Sequence, residues 1–237
     1  FSIVNEDAAE VAKRTLEEGK FVIDGVETKP TSRNPAPPFT TSTLQQEASR
    51  KLNYGAQRTM QVAQKLYEGF DIGGETTGLI TYMRTDGVGM AAEAVTASRN
   101  AIKQVFGDLY LPASQRTYRS KAKNAQEAHE SIRPTDFSRL PRDMRDFLDE
   151  GQYKLYELIW KRAMASQMAS AKLSRTTIEI DANDGSAKLR ATGTVIDFPG
   201  FLKLYEEGLD EKNDNDADRS LPKVNKGEIL TNEKVRP

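Results

Sequence analysis

The chain has 237 residues, room for one large domain or two smaller ones with a real hydrophobic core. Its 34 Lys and Arg nearly balance 35 Asp and Glu, for a formal charge of -1, so any nucleic-acid contact must come from local patches. Cysteine is absent and His129 is the only histidine, which excludes a disulfide framework and any thiolate or imidazole metal cluster made by this chain alone. No stretch approaches the roughly 20 apolar residues of a membrane span, and no membrane partner is expected. Phe1 in place of an initiator methionine, and Pro237 after the charged run Asn232-Glu233-Lys234-Val235-Arg236, lead us to expect a piece excised from a longer protein.

In chain order, Asn5 is placed to cap a helix through Glu18, with Ala9, Val11, Ala12 and Leu16 for packing and Gly19 to end it. Phe21-Val22-Ile23 and Gly25-Val26 predict a strand or a bent pair of strands. From Lys29 to Pro38, the prolines Pro30, Pro35, Pro37 and Pro38 predict a stiff extended connector, neither helix nor central strand. Ser42 and Gln45 form a capping-box pattern ahead of Leu44, Ala48 and Leu52 at helical spacing. A second helix fits Gln57 to Glu68, with Met60, Ala63 and Tyr67 for packing and Gly69 as its stop. A polar turn from Gly73 to Gly78 leads into the short extended run Leu79-Ile80-Thr81-Tyr82-Met83. A third helix runs from about Ala91 to Phe106 on Val95, Ile102 and Val105, with Gly107 behind it.

Tyr110 to Phe137, rich in Pro, Ser, Arg and Lys, reads as irregular chain with a short helix at Ala125 to Ser131. Arg142 to about Ala171 is helical again through Met144, Leu148, Leu155, Ile159 and Ala163, interrupted or kinked near Gly151. The period then changes to alternation: Thr176, Ile178 and Ile180, a turn at Asp184-Gly185, then Leu189, Ala191, Gly193 and Val195, which predicts a hairpin. Glu206 to Arg219, dominated by Asp, Asn and Glu without the glycine of a calcium loop, reads as a flexible surface loop. This order predicts a multidomain α+β protein. A helical domain, residues 42–170, is inserted in a discontinuous β-rich domain built from residues 1–41 and 171–237, the last of which also begins a following segment.

Without any family, the residues around Tyr82 leave two readings open. Tyr82 ends a short apolar run, Arg84 lies two residues on and on the same side if the strand continues, and Asp86 and Gly87 close it. One reading is a half-buried packing tyrosine. The other is a nucleophile, which needs nearby positive charge or a base because a free phenol, with a pKa of about 10, attacks poorly near neutrality. The patch Arg116, Arg119, Lys121 and Lys123, with no acid inside it, likewise reads as a solvated loop or as a phosphate contact.

The segment Gly78-Leu79-Ile80-Thr81-Tyr82-Met83-Arg84-Thr85-Asp86 resembles the active-site segment of the bacterial type IA DNA topoisomerases. Upstream, Pro35-Ala36-Pro37-Pro38-Phe39-Thr40-Thr41-Ser42-Thr43-Leu44-Gln45-Gln46-Glu47-Ala48 resembles another signature of that family, followed by Thr59-Met60 and Ala63-Gln64-Lys65-Leu66-Tyr67-Glu68-Gly69. Downstream, Ala128-His129-Glu130-Ser131-Ile132-Arg133-Pro134-Thr135 resembles its histidine segment. Two departures stand out: Gly87 where the family usually has serine, and Ser131 where alanine is common.

The resemblance implies that Tyr82 attacks a phosphodiester of single-stranded DNA, leaving a 5′-phosphotyrosine and a 3′-hydroxyl. Another strand then passes and the break is resealed, with negatively supercoiled DNA supplying the driving force. The helical domain would carry this catalytic tyrosine and the β-rich flanks would act as gate or hinge. Arg84 would stabilise charge at the scissile phosphate, with His129 and Arg133 assisting at phosphate or backbone, four apart on one face if their segment is helical. Gln45, Gln46 and Arg50 are expected to line the strand path, with Arg116 and Arg119 holding backbone and Tyr118 stacking on bases. A helix cap also explains Gln45, and packing or solvent exposure the others.

The resemblance also implies magnesium in the complete enzyme, bound mainly by an acidic N-terminal domain outside this chain, with no metal or cofactor expected here. The isolated fragment is therefore expected not to be catalytically competent, and the parent to be cytoplasmic and nucleoid-associated. The rival of a different class is a noncatalytic single-stranded-DNA-binding or gate module. A tyrosine recombinase fits less well, because the lone His129 leaves no recognisable arginine and histidine array.

Overall fold

Apolar Phe21 and Ile23 start a strand, β1 (Phe21–Arg33), that buries both side chains in the computed structural model, which describes residues 5–72, 74–118, 129–205 and 221–231. The strand runs on through Pro30, where the sequence predicted a connector. The reason lies in its neighbours. Strand β6 (Ile229–Leu230) pairs only with Phe21 and Val22, so among the described residues that edge of β1 is open at Pro30, the kind of position at which a residue without an N–H is tolerated.

The predicted hairpin forms from β4 (Ala171–Ala182) and β5 (Lys188–Phe198). Gly185, at φ 73°, turns the chain, and the Ala182 N–H donates to the Ala187 carbonyl at 2.9 Å to close it. The sheet order β5-β4-β1-β6 joins strands from either side of the helical segment, so the β part is discontinuous in sequence. Helix α1 (Glu6–Glu18) begins where Asn5 accepts from the Ala8 N–H and ends at Gly19.

The helices between follow the predicted order, with local corrections. Helix α2 (Thr41–Leu52) is capped by Thr40 and Thr43, not by Ser42 and Gln45: the Thr40 hydroxyl accepts from the Thr43 N–H while the Thr43 hydroxyl accepts from the Thr40 N–H. Phe39 fixes this start, because its main chain is held in a bridge to Ile132 and the helix begins as soon as that bridge is left. Helix α3 (Ala56–Glu68) stops at Gly69, and a small hairpin, β2 (Phe70–Ile72) with β3 (Glu75–Thr77), replaces the plain turn predicted there. Helix α4 (Ala92–Phe106) ends at Gly107.

Pro141–Met144 forms only a short 3-10 turn, and α5 (Glu150–Ser166) starts at Asp149 with a reciprocal capping box to Gln152. The helical stretch is thus interrupted over 145–149, as predicted, and Gly151 lies in the first turn of α5 rather than at a kink. This helix packs on α2, α3 and α4 and buries Leu155, Tyr156, Ile159, Trp160, Ala163 and Met164, as a helix apolar on most faces must.

Two compact units result. One comprises Phe1–Ser32, Lys172–Asp197 and Lys212–Pro237; the other comprises Arg33–Ala171 and Phe198–Glu211. The acidic segment from Glu206 to Arg219 and the predicted helical residues 125–128 lie outside the described residues.

Candidate active site

The extended run ahead of Tyr82 is held by main-chain bonds on two sides. Leu79 N–H donates to the Leu66 carbonyl at 2.8 Å, Ile80 bridges Pro134, and Thr81 N–H donates to the Arg133 carbonyl at 2.9 Å. Pairing ends at Thr81 and the chain bends at Met83 and Arg84, so the strand does not continue as the same-side argument required. Burial still alternates: Tyr82 is 39% exposed, Met83 buried, Arg84 exposed, Thr85 buried and Asp86 exposed.

Two threonine hydroxyls take over where the ladder stops. Thr81 Oγ1 donates to the Ser131 carbonyl at 2.7 Å and accepts from the Arg133 N–H at 3.0 Å. Thr41 Oγ1 donates to the Met83 carbonyl at 2.8 Å and accepts from the Thr85 N–H at 2.9 Å. Tyr82 and Arg84 thus sit on a short arch with a hydroxyl anchor at each foot, and their side chains point away from the core. No sequence periodicity marks these anchors; Thr41 stood inside a recognised segment without a role.

Tyr67, on α3, meets the Tyr82 ring edge-on with centroids 5.4 Å apart. The sequence placed Tyr67 among the packing residues of its helix, yet it is 41% exposed. The His129 ring lies 6.1 Å from that of Tyr82, tilted by 52°. His129 and Arg133 do not share a helix face. Residues 129–135 run extended, with Ile132 N–H donating to the Phe39 carbonyl and Thr135 N–H to the Leu79 carbonyl. Pro134 explains part of this, since a proline disfavours helical backbone in the residue before it.

Arg133 is largely enclosed. Its Nε donates to Glu130 Oε2 at 2.6 Å and one terminal nitrogen donates to the Pro134 carbonyl at 2.9 Å. The same Glu130 oxygen accepts from the Ala91 N–H at the start of α4. Burial opposes ionisation of Glu130, but the hydrogen bonds from Arg133 and Ala91 outweigh it and hold its carboxyl below the usual range. Glu130 stood inside the histidine segment without an assigned role, and in an extended segment no periodicity points to its pairing with Arg133. Beside it, the buried Ser131 hydroxyl has no hydrogen-bond partner among the described residues.

The other predicted residues lie further out. Gln45 is half-buried and Gln46 exposed on α2; Arg50 reaches Glu47 at 3.4 Å. Arg116 points its guanidinium inward, donating to the Met168 carbonyl at 2.8 Å and the Ser170 hydroxyl at 2.7 Å. The Gln167 side chain pairs reciprocally with the Arg116 main chain, which fastens this loop to the end of α5. The Tyr118 hydroxyl lies 3.0 Å from the Pro35 carbonyl and 2.8 Å from that of Ser166, and burial raises its pKa despite the nearby Arg116 and Arg162 charges. Arg119, Lys121 and Lys123 fall outside the described residues.

Beneath α2 lies a buried polar network. Glu47, only 3% exposed, accepts from the Tyr205 hydroxyl at 2.7 Å and meets Lys51 at 3.6 Å. Arg162, 4% exposed, donates to the Pro37 carbonyl and to Tyr205. The network ties the proline segment to α2 and α5. Among the described residues no three or more His, Cys, Asp or Glu side chains gather where they could hold a metal ion.

The whole chain, residues 1–237, matches the family model described as DNA topoisomerase. The chain belongs to the bacterial type IA DNA topoisomerase family. It is similar to the protein named DNA topoisomerase 1 of Zymomonas mobilis, 52% identical over 240 residues, covering 99% of this chain and 19% of that protein. The DNA topoisomerase 1 of Rickettsia bellii is 46% identical over 237 residues, covering 100% of this chain and 30% of the relative. Among solved structures, that of full-length topoisomerase I from Thermotoga maritima matches with a TM-score of 0.76 at 33% identity, covering 94% of this chain and 34% of that one. The chain thus spans less than a third of the curated relatives it matches here.

Proposed function

We propose that the full-length protein carrying this chain relaxes negatively supercoiled DNA by cutting one strand transiently, with Tyr82 as the nucleophile. The observation that carries this reading is the half-exposed Tyr82 phenol, held on an arch between two hydroxyl anchors beside His129, in a chain of this family. In the step proposed, the phenol loses its proton as its oxygen bonds to phosphorus, the bond from phosphorus to the 3′ oxygen breaks, and that oxygen takes up a proton. One phosphoester replaces another, so no high-energy cofactor is consumed and resealing is the reverse reaction.

Arg84, exposed on the same arch, is assigned to the developing charge on the phosphate oxygens, where a planar guanidinium is worth most in the transition state. His129 is assigned to the neighbouring backbone. Arg133, bound to Glu130, acts mainly by holding the histidine segment in place. Gln46 and Arg50, exposed on α2, line the incoming single strand, with Gln45 behind them. Arg116 reaches DNA only by exchanging its bonds to Met168 and Ser170 for phosphate. Magnesium is assigned to carboxylates elsewhere in the full-length protein, and no step here is routed through it. Such an enzyme works on nucleoid DNA in the cytoplasm.

The test is relaxation of a negatively supercoiled plasmid by the full-length protein and its Tyr82→Phe variant. Relaxation that disappears with the hydroxyl supports the proposal, and relaxation that survives in the variant overturns it.

A further inference from the structure

Helix α3 passes beside the Tyr82 arch, and together they enclose a groove of about 720 Å³. Arg58, Gln61 and Lys65 line it from α3, at spacings of three and four that put them on one helix face; Met83 and Arg84 line it from the arch, and Met60 adds apolar surface. Arg58, Gln61, Lys65 and Arg84 are all exposed. The Arg58 guanidinium lies 4.1 Å from the centroid of the Tyr54 ring, which steadies it. The acid at the far end, Glu68, accepts a hydrogen bond from Gln64 at 2.7 Å.

We infer that this groove holds the DNA strand on the 3′ side of the scissile phosphate, the stretch that remains joined to Tyr82 after cleavage. The inference rests on the proposed function. Three observations lead to it. The groove is continuous with the site, because Arg84 forms its wall and Tyr67 of the same helix packs on the Tyr82 ring. Its charge suits a polyanion: Arg58, Lys65 and Arg84 are cations, and the Gln61 amide between them donates without regard to sequence. Arg58 and Lys65 are about 10 Å apart along the helix axis, which spans about three phosphates of a stacked strand. Met60, part-exposed on the groove wall, supplies adaptable apolar surface against which a base can lie.

Mechanics point the same way. Tyr82 and the groove belong to one compact unit, so contacts made there survive any movement of that unit. A severed end covalently bound to Tyr82 and lying along α3 stays aligned for resealing. Held elsewhere, it would lose its contacts each time the gate opened.

The experiment uses the full-length protein and single-stranded oligonucleotides with a mapped cleavage site. A photoreactive thiothymidine is placed two or three nucleotides to the 3′ side of the scissile phosphate, or equally far to the 5′ side. The 3′ probe should cross-link within Ala56–Glu68 and the 5′ probe should not. In a second arm, the double variant Gln61→Glu, Lys65→Glu should lower the yield of tyrosyl adduct about fivefold or more on oligonucleotides with a long 3′ extension, since charge reversal repels phosphates. Oligonucleotides that end just past the cleavage site should be unaffected. A 3′ probe that cross-links elsewhere, or equal losses on long and short substrates, overturns the inference while leaving Tyr82 chemistry intact. Absence of a Tyr82 adduct from the unsubstituted protein would instead overturn the proposed function, and the inference with it.

Discussion

The His129 carbonyl oxygen occupies the space that a Cβ at Gly87 would need, and Thr85 Oγ1 stands 3.1 Å from the same point. Glycine therefore allows the loop after Tyr82 and Arg84 to lie directly against the histidine segment, an approach that the Ser131 N–H secures by donating to the Gly89 carbonyl at 2.9 Å. Gly87→Ala should force the two segments apart and cost about 1–3 kcal/mol, the usual penalty of overpacking. Gly89→Ala is the control, because a Cβ there meets nothing within 4 Å. Urea unfolding followed by the single tryptophan, Trp160, checks both; equal midpoints for the two variants would contradict the contact.

The role proposed for Arg84 can be tested by measuring binding and cleavage separately. Arg84→Ala in the full-length protein should reduce cleavage at least about tenfold while changing single-strand affinity much less, because its charge matters most as the phosphate oxygens gain negative charge. Arg84→Lys should recover part of the loss, as it restores charge without the donor fork. Parallel measurement of adduct formation and fluorescence anisotropy decides this. Unchanged cleavage with severely weakened binding would make Arg84 a positioning residue.

The sequence revealed most where physics is local. The caps at Asn5 and Gly69, the Asp184-Gly185 turn and the alternation around Ile178 are settled by near neighbours, and helices α1 and α3 and the hairpin appear where those signals stand. Errors arose where distant pairing decides. Residues 129–135 are extended because Phe39 and Leu79 accept their N–H groups, and Pro30 stays in a strand because β6 is short. In the site, the resemblance singled out Tyr82, Arg84, His129 and Arg133, but not what holds them. Threonine hydroxyls bonded to main chain, such as those of Thr41 and Thr81, leave no period to read, and a glycine's role in close approach is visible only once the opposing carbonyl is in place.

The buried network under α2 is expected to matter for stability. Arg162→Met removes donors to the Pro37 carbonyl and the Tyr205 hydroxyl from a site closed to water, and should cost about 3–5 kcal/mol. Because Tyr205 also donates to Glu47, the cost of Arg162→Met combined with Glu47→Gln should fall short of the sum of the two single costs. A double-mutant cycle in urea tests this, and strict additivity would contradict a shared network.

Alkaline pH should expose two other buried phenols. Burial is the first cause that raises the pKa of both Tyr156 and Tyr205, with the Asp136 charge adding for Tyr156 and the Glu47 hydrogen bond for Tyr205. Each stays neutral in the folded chain at a pH where it ionises in the unfolded chain, about 10 and above. Their contribution to stability is thus complete below pH about 10 and is lost as pH rises further. The urea midpoint should fall between about pH 9.5 and 11, and less steeply in Tyr156→Phe. An identical fall in that variant would show that Tyr156 is not protected.

Tyr82 is proposed to form the covalent bond, and to do so only with the remainder of the full-length protein. Attack requires the phosphate in line and both protons managed, yet the helpers proposed here are only Arg84 and His129, and placement alone can contribute about 7–11 kcal/mol to such a reaction. Tyr82→Phe deletes the attacking oxygen while keeping the ring that packs on Tyr67 and His129, so folding and noncovalent DNA binding should largely persist. The direct measurement is denaturant-resistant adduct on labelled single-stranded DNA, followed by peptide mapping. The full-length protein should give a 5′-linked adduct on Tyr82, the isolated 237-residue chain little or none, and the phenylalanine variant none. Attachment to any other residue, or undiminished adduct in Tyr82→Phe, would contradict the account.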